Sequence, residues 1–406
     1  MTNKQAAIKI VKQLRNYGFE SLLAGGCVRD MLLDRQASDY DVATSALPED
    51  VTRLFKHTLK VGAKFGVIIV MVKDIQVEVA TFRTESGYED GRHPANVKFA
   101  TAAEDAGRRD FTINGMFYDP VDKKMVDYVG GQADLKNRII RAIGKPKERF
   151  SEDYLRMLRA IRFSTQLGFE IEPSTFSAIR SNAENITRIS GERIAAELEG
   201  ILVAPNRSTG VSLLVKSGLA ESIFPGFVSE PAQFAIRVLK QLRKKVDFAL
   251  ALAGLFAGFE TKFAIEKCRI LKLSRNQNKH IKFLLTERGK LLDPLSLAEL
   301  KKLLAEPYFW DLYELQRAIQ RAKKAGITAL VNIRKRIKAL DNEEIKPKPL
   351  LTGHDIMRLG AMPGPALGQL AEEMYIAQLE GQLKTAQQAE DWVIKWLKKH
   401  KTAIDF

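Results

Sequence analysis

The chain has 406 residues, 45% of them hydrophobic, which predicts two to four domains with a sizeable buried core and excludes a small stapled scaffold. Two cysteines cannot build a disulfide framework, and five histidines without ligand-like spacing argue against a Cys/His metal site. The net charge of +15 is unevenly spread: residues 1–140 hold 20 basic and 19 acidic residues, residues 141–230 hold 12 and 11, and residues 231–348 hold 26 and 12, so a polyanionic partner is expected along that third stretch.

The first twenty residues read as an amphipathic helix with Ile8, Val11 and Leu14 on one face; they lack the apolar core of a secretion signal, which points to a cytoplasmic protein. Ser21 to Ala24 reads as a short strand ended by Gly25-Gly26, and Val28 to Leu33 as a helix. Tyr40 to Ala43 is a second strand, and Pro48 opens a helix that reaches Phe55. Gly66 to Val72 and Ile75 to Phe82 form a hairpin turned at Lys73-Asp74. Gly87 to Pro94, rich in glycine and charge, is expected to be a mobile loop. From Ser151 onward the spacing of Leu155, Leu158, Ile161 and Phe163 is helical and no later strand is expected. The fold class is therefore α+β, a mixed head followed by an all-helical remainder. Phe248 to Phe259, the longest stretch free of charge and strong polarity, is far shorter than the ~20 residues of a membrane-spanning helix, and no membrane association is expected.

Gly25-Gly26-Cys27-Val28-Arg29 joins a strand to a helix, where glycines allow backbone N–H groups to approach a phosphate; an ordinary turn is the other reading. Ten residues after Arg29 come Asp39 and Asp41, whose spacing on a strand would point both carboxylates to one face. Side by side they repel unless a cation sits between them, which suits divalent metal and nucleotidyl transfer, although a solvated strand edge carries the same pattern. Glu78 reads as a charge on an outer sheet face, or as a third carboxylate if its strand runs beside that of Asp39 and Asp41. Arg108 and Arg109 could face a triphosphate with Asp110 orienting them. In Glu152 to Arg162, a helix would make neighbours of Asp153 and Arg156 and carry Arg159 and Arg162 along adjacent turns. A carboxylate that accepts from an exocyclic amine beside a guanidinium that donates to the next ring nitrogen selects cytosine and adenine over guanine and uracil; a salt-bridged solvent face is the alternative.

Four segments, LLAGGCVRDMLLDRQASDYDVATSALPEDVTRLF, RRDFTINGMFYDP, SEDYLRMLRAIRFSTQLGF and GERIAAEL, occur in the order seen in class II tRNA nucleotidyltransferases, the CCA-adding family of the polymerase-β superfamily, with related bacterial poly(A) polymerases. The resemblance is dense over residues 20–200, and LLTGHDIMRLGAMPGP near the C-terminus resembles a tail motif of the same family. It implies that Asp39 and Asp41 hold Mg²⁺, that Gly25, Gly26, Arg29 and Arg109 bind the incoming nucleotide, that Asp153 and Arg156 read its base, and that Arg159 and Arg162 help bind it. It also implies a head near 1–138, a neck near 139–205, a body near 206–290 and a tail near 291–406. Asp90 and Arg92 would belong to a flexible loop used in the final A addition. CTP, ATP and the tRNA 3′ acceptor end would be the partners, with Arg334, Lys335 and Arg336 among the groups gripping RNA phosphates.

Many relatives carry a phosphohydrolase region with a His-Asp pair, but the comparable stretch Phe248 to Phe259 holds neither residue, so that second activity is not expected. Three functions stay open: full CCA addition or repair, A addition in a split CC/A pair or poly(A) synthesis, and an inactive RNA-binding relative. The lack of a long basic extension after the tail motif counts against poly(A) synthesis, and the intact Arg29, Asp39, Asp41 and Arg109 count against inactivity.

Overall fold

In the computed structural model, which describes residues 1–88, 94–227, 229–340 and 345–401, α1 spans Asn3–Asn16 and starts at a capping box: Thr2 accepts from the Gln5 N–H and the Gln5 side chain accepts from the Thr2 N–H. Its buried stripe is Ala6, Ala7, Ile10, Val11 and Leu14, so Ile10 takes the inward place expected for Ile8, which is half-buried. The fold divides the chain into two units, Met1–Ala232 with Lys267–Leu273, and Gln233–Glu266 with Ser274–Phe406.

The first unit is built on strands β1 (Ser21–Ala24), β2 (Asp41–Thr44), β3 (Thr58–Gly62), β4 (Val67–Val72), β5 (Ile75–Thr81), β6 (Arg83–Tyr88), β7 (Pro94–Phe99), β8 (Phe117–Asp119) and β9 (Lys124–Val126). Seven of them form one sheet in the order β3-β4-β5-β2-β1-β8-β9. β2 runs antiparallel to β1, with Ala24 opposite Asp41, and parallel to β5, with Val42 opposite Val79. The β4–β5 turn falls at Lys73, which takes φ +57°, as expected for a tight hairpin. β1 alternates: Leu22 and Ala24 pack with Ala43, Phe82 and Phe117 against Ala102 and Ala106 of α4 (Ala102–Arg108), so Ser21 and Leu23 face the side on which α1 lies. β6 and β7 pair from Arg83–Phe99 to Tyr88–Pro94, which corrects the expectation of a loop beginning at Gly87: both its ends are strand. Asp90 and Arg92 lie outside the described residues.

Beyond the sheet come short helices and then α7 (Leu155–Leu167) and α9 (Gly191–Leu202), which pack on each other. The expectation of no strand after Ser151 needs one correction. Glu170–Ile171 pairs in parallel with Ile139–Ile140, because the Gly168 turn (φ +72°) at the end of α7 sends the chain back alongside that segment.

The described residues of the second unit form helices. Phe248–Leu255, Arg275–Thr286 and Phe309–Ala322 pack together, and Ile356, Leu370, Met374, Ala389 and Val393 centre a C-terminal core. The fold joins Asp247, His280 and Asp311, whose potential ligand atoms lie within 4.8 Å of one another, a grouping that spacing along the chain did not reveal. The two ring nitrogens of His280 face different carboxylates, Nδ1 toward Asp247 at 3.8 Å and Nε2 toward Asp311 at 3.3 Å, and Arg243 holds Asp311 at 2.6 Å. With Tyr308 stacked 4.0 Å from the ring, these contacts tie together the helices that carry His280 and Asp311 and the start of Phe248–Leu255. Among the described residues, no helix is long and apolar enough to cross a membrane.

Candidate active site

Gly25 ends β1 and leads into α2 (Gly26–Leu32) with φ +74° and ψ −133°, a conformation open essentially to glycine; a Cβ there would stand 3.1 Å from the Arg109 guanidinium. Because Ala24 pairs with Asp41, the first carboxylate of β2 opens beside this turn. Asp39 lies ahead of β2, not on it, and accepts from Ser38 Oγ at 2.9 Å. Only Asp41 of the two aspartates expected on this strand belongs to it, and both line one cleft. β5 does run beside β2, which brings the charge of Glu78 to bear on Asp41. Asp41 is open to the cleft, yet desolvation of its carboxyl, then the negative charges of Glu78 and Asp39, push it up to about 6 against the pull of Arg109. Accumulated negative charge among oxygen donors suits a hard divalent cation, which would relieve the repulsion that raises Asp41.

The carboxylate that orients Arg108 and Arg109 is Asp105, not Asp110. Buried at the start of α4, Asp105 accepts from Arg108 at 2.7 Å and from Arg109 at 2.9 Å, and it also takes the Arg83 N–H at the base of β6. Burial alone would raise Asp105, but the two guanidinium charges outweigh it and hold the group below the usual carboxylate range. Asp110 turns the other way, to Arg159 at 2.6 Å, and accepts from the Asn114 amide, whose oxygen accepts from Arg29 at 2.8 Å. Asp110 is likewise lowered, Arg159 offsetting its burial.

The expected single helix through Glu152 to Arg162 is broken. One helix ends at Glu152, Asp153 is extended (φ −148°, ψ 105°) and accepts from the Leu155 N–H, and α7 begins at Leu155. A short acceptor side chain competes well with helix hydrogen bonding, which places the break at the aspartate. Asp153 therefore pairs across the fold with Arg193 of α9 at 2.7 Å, and Arg156 pairs with Glu152 at 2.5 Å and with the Arg149 carbonyl at 2.9 Å. Both side chains still line the same cleft.

That cleft, of about 650 Å³, is lined by Gly25, Gly26, Arg29, Asp39, Asp41, Arg109, Asp153, Arg156, Arg159 and Arg162, every described residue expected to meet a nucleotide or metal. Arg108, Asp110, Asn114, Phe163 and Arg193 also line it, giving seven arginines against four aspartates, a balance suited to a polyanion. The partners Arg193 and Glu197 escaped sequence reasoning because they act from a separate helix, α9, whereas Asp105 and Glu152 stand only three or four residues from the arginines they hold and were passed over for the neighbouring Asp110 and Asp153. Arg334, Lys335 and Arg336 lie in the second unit, on the helix Thr328–Lys338. Arg334 and Lys335 are exposed, whereas Arg336 is half-buried and donates to the Leu295 carbonyl at 2.7 Å, so it is tied to the fold.

A mixed sheet that sets paired carboxylates beside a glycine turn and an arginine-lined cleft defines a nucleotidyl-transferring polymerase head. Residues 21–141 match the poly A polymerase head domain, and residues 168–230 match the probable RNA and SrmB-binding site of polymerase A. A CCA-adding enzyme of Lactobacillus johnsonii is 34% identical over 390 residues, covering 93% of each chain, and one of Lacticaseibacillus paracasei is 35% identical over 399 residues, covering 94% of each. The crystal structure of the Bacillus stearothermophilus CCA-adding enzyme in complex with CTP superposes with a TM-score of 0.82 at 28% identity, covering 99% of this chain and all of the other. The chain belongs to the CCA-adding enzyme family and is a nucleotidyltransferase.

Proposed function

We propose that the cleft transfers CMP and AMP from CTP and ATP to the 3′ end of tRNA, building or repairing CCA and releasing pyrophosphate. The observation that carries this reading is the convergence of Asp39, Asp41, the Gly25 turn, the arginines and the Asp153–Arg156 pair on one cleft. Relatives named as CCA-adding enzymes, one solved with CTP, support it. Asp39 and Asp41 would hold Mg²⁺, with Glu78 adjacent. Such an ion, when bound, lowers the pKa of an attacking hydroxyl and offsets charge on the transferring phosphoryl group.

The chain's own residues do the rest. Arg29, Arg109, Arg159 and Arg162 neutralise and orient the triphosphate, and Gly25 lets the backbone approach it. Asp153 accepts from the N4 or N6 amine while Arg156 donates to N3 or N1. To meet a base, Asp153 must share its carboxylate with Arg193, and Arg156 its guanidinium with Glu152; these pairs hold the readers in place when no base is present. UTP and GTP would set an oxo group against Asp153 and an N–H against Arg156, leaving buried polar groups unpaired. Residues 1–138 would form the head, 139–205 the neck, 206–290 the body and 291–406 the tail, with Arg334 and Lys335 meeting tRNA phosphates. Asp90 and Arg92 would act in the final A addition, so a Gly/Ser replacement of residues 89–93 should suppress AMP more than CMP incorporation.

The test is incubation of the purified protein with tRNAs lacking all, two or one of the terminal CCA residues, supplied with CTP, ATP or both, followed by 3′-end sequencing. Ordered C, C, A addition is expected. Addition to CC-ended tRNA alone would indicate an A-adding enzyme, and long A tails a poly(A) polymerase.

A further inference from the structure

The ring of Phe163 is the meeting point of three guanidiniums. Arg162 lies over it at 4.3 Å from the centroid, and Arg159 and Arg29 each at 5.3 Å. Arg159 and Phe163 stand four apart on α7, so they share a face, while Arg29 arrives from α2, across the cleft. The ring is buried and fixed in place by an edge-to-face contact with Phe111 at 5.8 Å. Three like charges around one ring repel one another, and each has a carboxylate close by: Asp30 at 2.8 Å from Arg29, Asp110 at 2.6 Å from Arg159 and Glu197 at 2.6 Å from Arg162. Glu197 also approaches Arg159 at 4.0 Å and so serves both arginines of α7, whereas Arg29 is paired on its own helix, α2. The one group that all three cations share is the ring, whose negative face attracts a cation. Room is kept for this at α9: the aliphatic stem of Arg162 crosses Gly200 so closely that a Cβ there would fall 2.3 Å from Arg162 Cδ.

We propose that Phe163 is a positioning residue which gathers Arg29, Arg159 and Arg162 toward the triphosphate of the incoming nucleotide. The inference rests on the functional reading above and deepens it. An aliphatic side chain would fill the same buried space but would not attract the three cations, so the ring's charge distribution, not its volume, is the property to be tested.

The test replaces Phe163 with 3,4,5-trifluorophenylalanine, which keeps the shape and drains the ring face, and separately makes Phe163→Leu and Phe163→Tyr. Equilibrium titration of the full chain with CTP and with CMP reads the result. Because fluorination weakens the attraction of the ring face for cations, it should weaken CTP binding roughly 10-fold, about 1.4 kcal/mol. CMP binding should change less than about 3-fold because it lacks the β- and γ-phosphates. Phe163→Leu should behave like the fluorinated protein, and Phe163→Tyr should retain wild-type affinity. Unchanged CTP affinity in the fluorinated protein, or equal losses for CTP and CMP, would overturn the proposal and return Phe163 to the core. Wild-type protein that bound neither CTP nor ATP would instead overturn the functional reading on which it rests.

Discussion

The chain carries positive charge in two ways. In the cleft, all seven lining arginines sit within 2.9 Å of a carboxylate: Arg29 on Asp30, Arg108 and Arg109 on Asp105, Arg156 on Glu152, Arg159 on Asp110, Arg162 on Glu197 and Arg193 on Asp153. Residues 1–230 are accordingly almost neutral. Residues 231–348 carry a surplus, with exposed groups such as Lys279, Lys323, Lys324, Arg334, Lys335 and Lys338. Chemistry needs cations fixed to fractions of an ångström, and fixing them requires a local counter-charge. Gripping an RNA backbone needs only surplus charge that displaces counterions. Net charge thus marks where a polyanion would be held, and pairing marks where it would react.

Removing one carboxylate of the proposed metal site separates the two regions most sharply. Asp39→Ala or Asp41→Ala should lower nucleotide incorporation by at least ~10³-fold while tRNA affinity, measured by filter binding, stays at the wild-type value. A parallel fall in tRNA affinity would break the division. Next in size is Gly25→Ala, which forces a side chain into a glycine-only conformation beside Arg109 at a cost of ~1–3 kcal/mol. Calorimetry and CTP titration should show a lower Tm and weaker nucleotide binding, again with tRNA binding intact. From the other side, Arg334→Ala with Lys335→Ala should flatten the dependence of log Kd for tRNA on log salt by up to ~0.7–0.9 for each phosphate no longer neutralised, leaving CTP affinity unchanged. Arg336 is left out because its bond to Leu295 makes it part of the fold.

The smallest effect concerns the acidic side of the cleft. Asp41 is raised from its ordinary 3.8 to about 6, so the folded state binds that proton more tightly than the unfolded chain and loses stability as pH rises through this window. At pH 7 without divalent ions, Asp41→Asn should therefore raise Tm slightly although it abolishes transfer. Mg²⁺ should raise the Tm of the wild type and not that of Asp41→Asn. Activity should fall as pH drops through about 6, where protonation of Asp41 competes with the cation.

The head was readable in the sequence because its signals are local: the glycine turn, the β4–β5 hairpin and the Pro48 helix start each depend on a few adjacent residues. The β6–β7 hairpin was missed because glycine and charge at its tip masked the pairing on either side, and Glu170–Ile171 because a two-residue strand has no periodicity. The site's lining residues were legible as types at motif spacing, but their partners were not. Asp153 was placed on a helix by an i, i+3 argument, yet its partner is Arg193, forty residues away. Asp110 stood next to the arginines it was expected to orient, while buried Asp105 took them through the turn of α4. Adjacent sequence constrains backbone; which carboxylate reaches which guanidinium is settled by packing.

The central claim, that Asp153 and Arg156 in this arginine-lined cleft choose the nucleotide, is tested most directly by kcat/KM for CTP, ATP, UTP and GTP on CCA-deficient tRNA, in the wild type, Asp153→Ala and Arg156→Ala. The account predicts a wild-type preference of ~10²–10⁴ for CTP and ATP, and in both variants a lower overall rate with UTP and GTP gaining relative to CTP and ATP. Unchanged ratios among the four nucleotides, accompanied only by a lower Tm, would make the two residues structural salt-bridge partners of Arg193 and Glu152 and would contradict it.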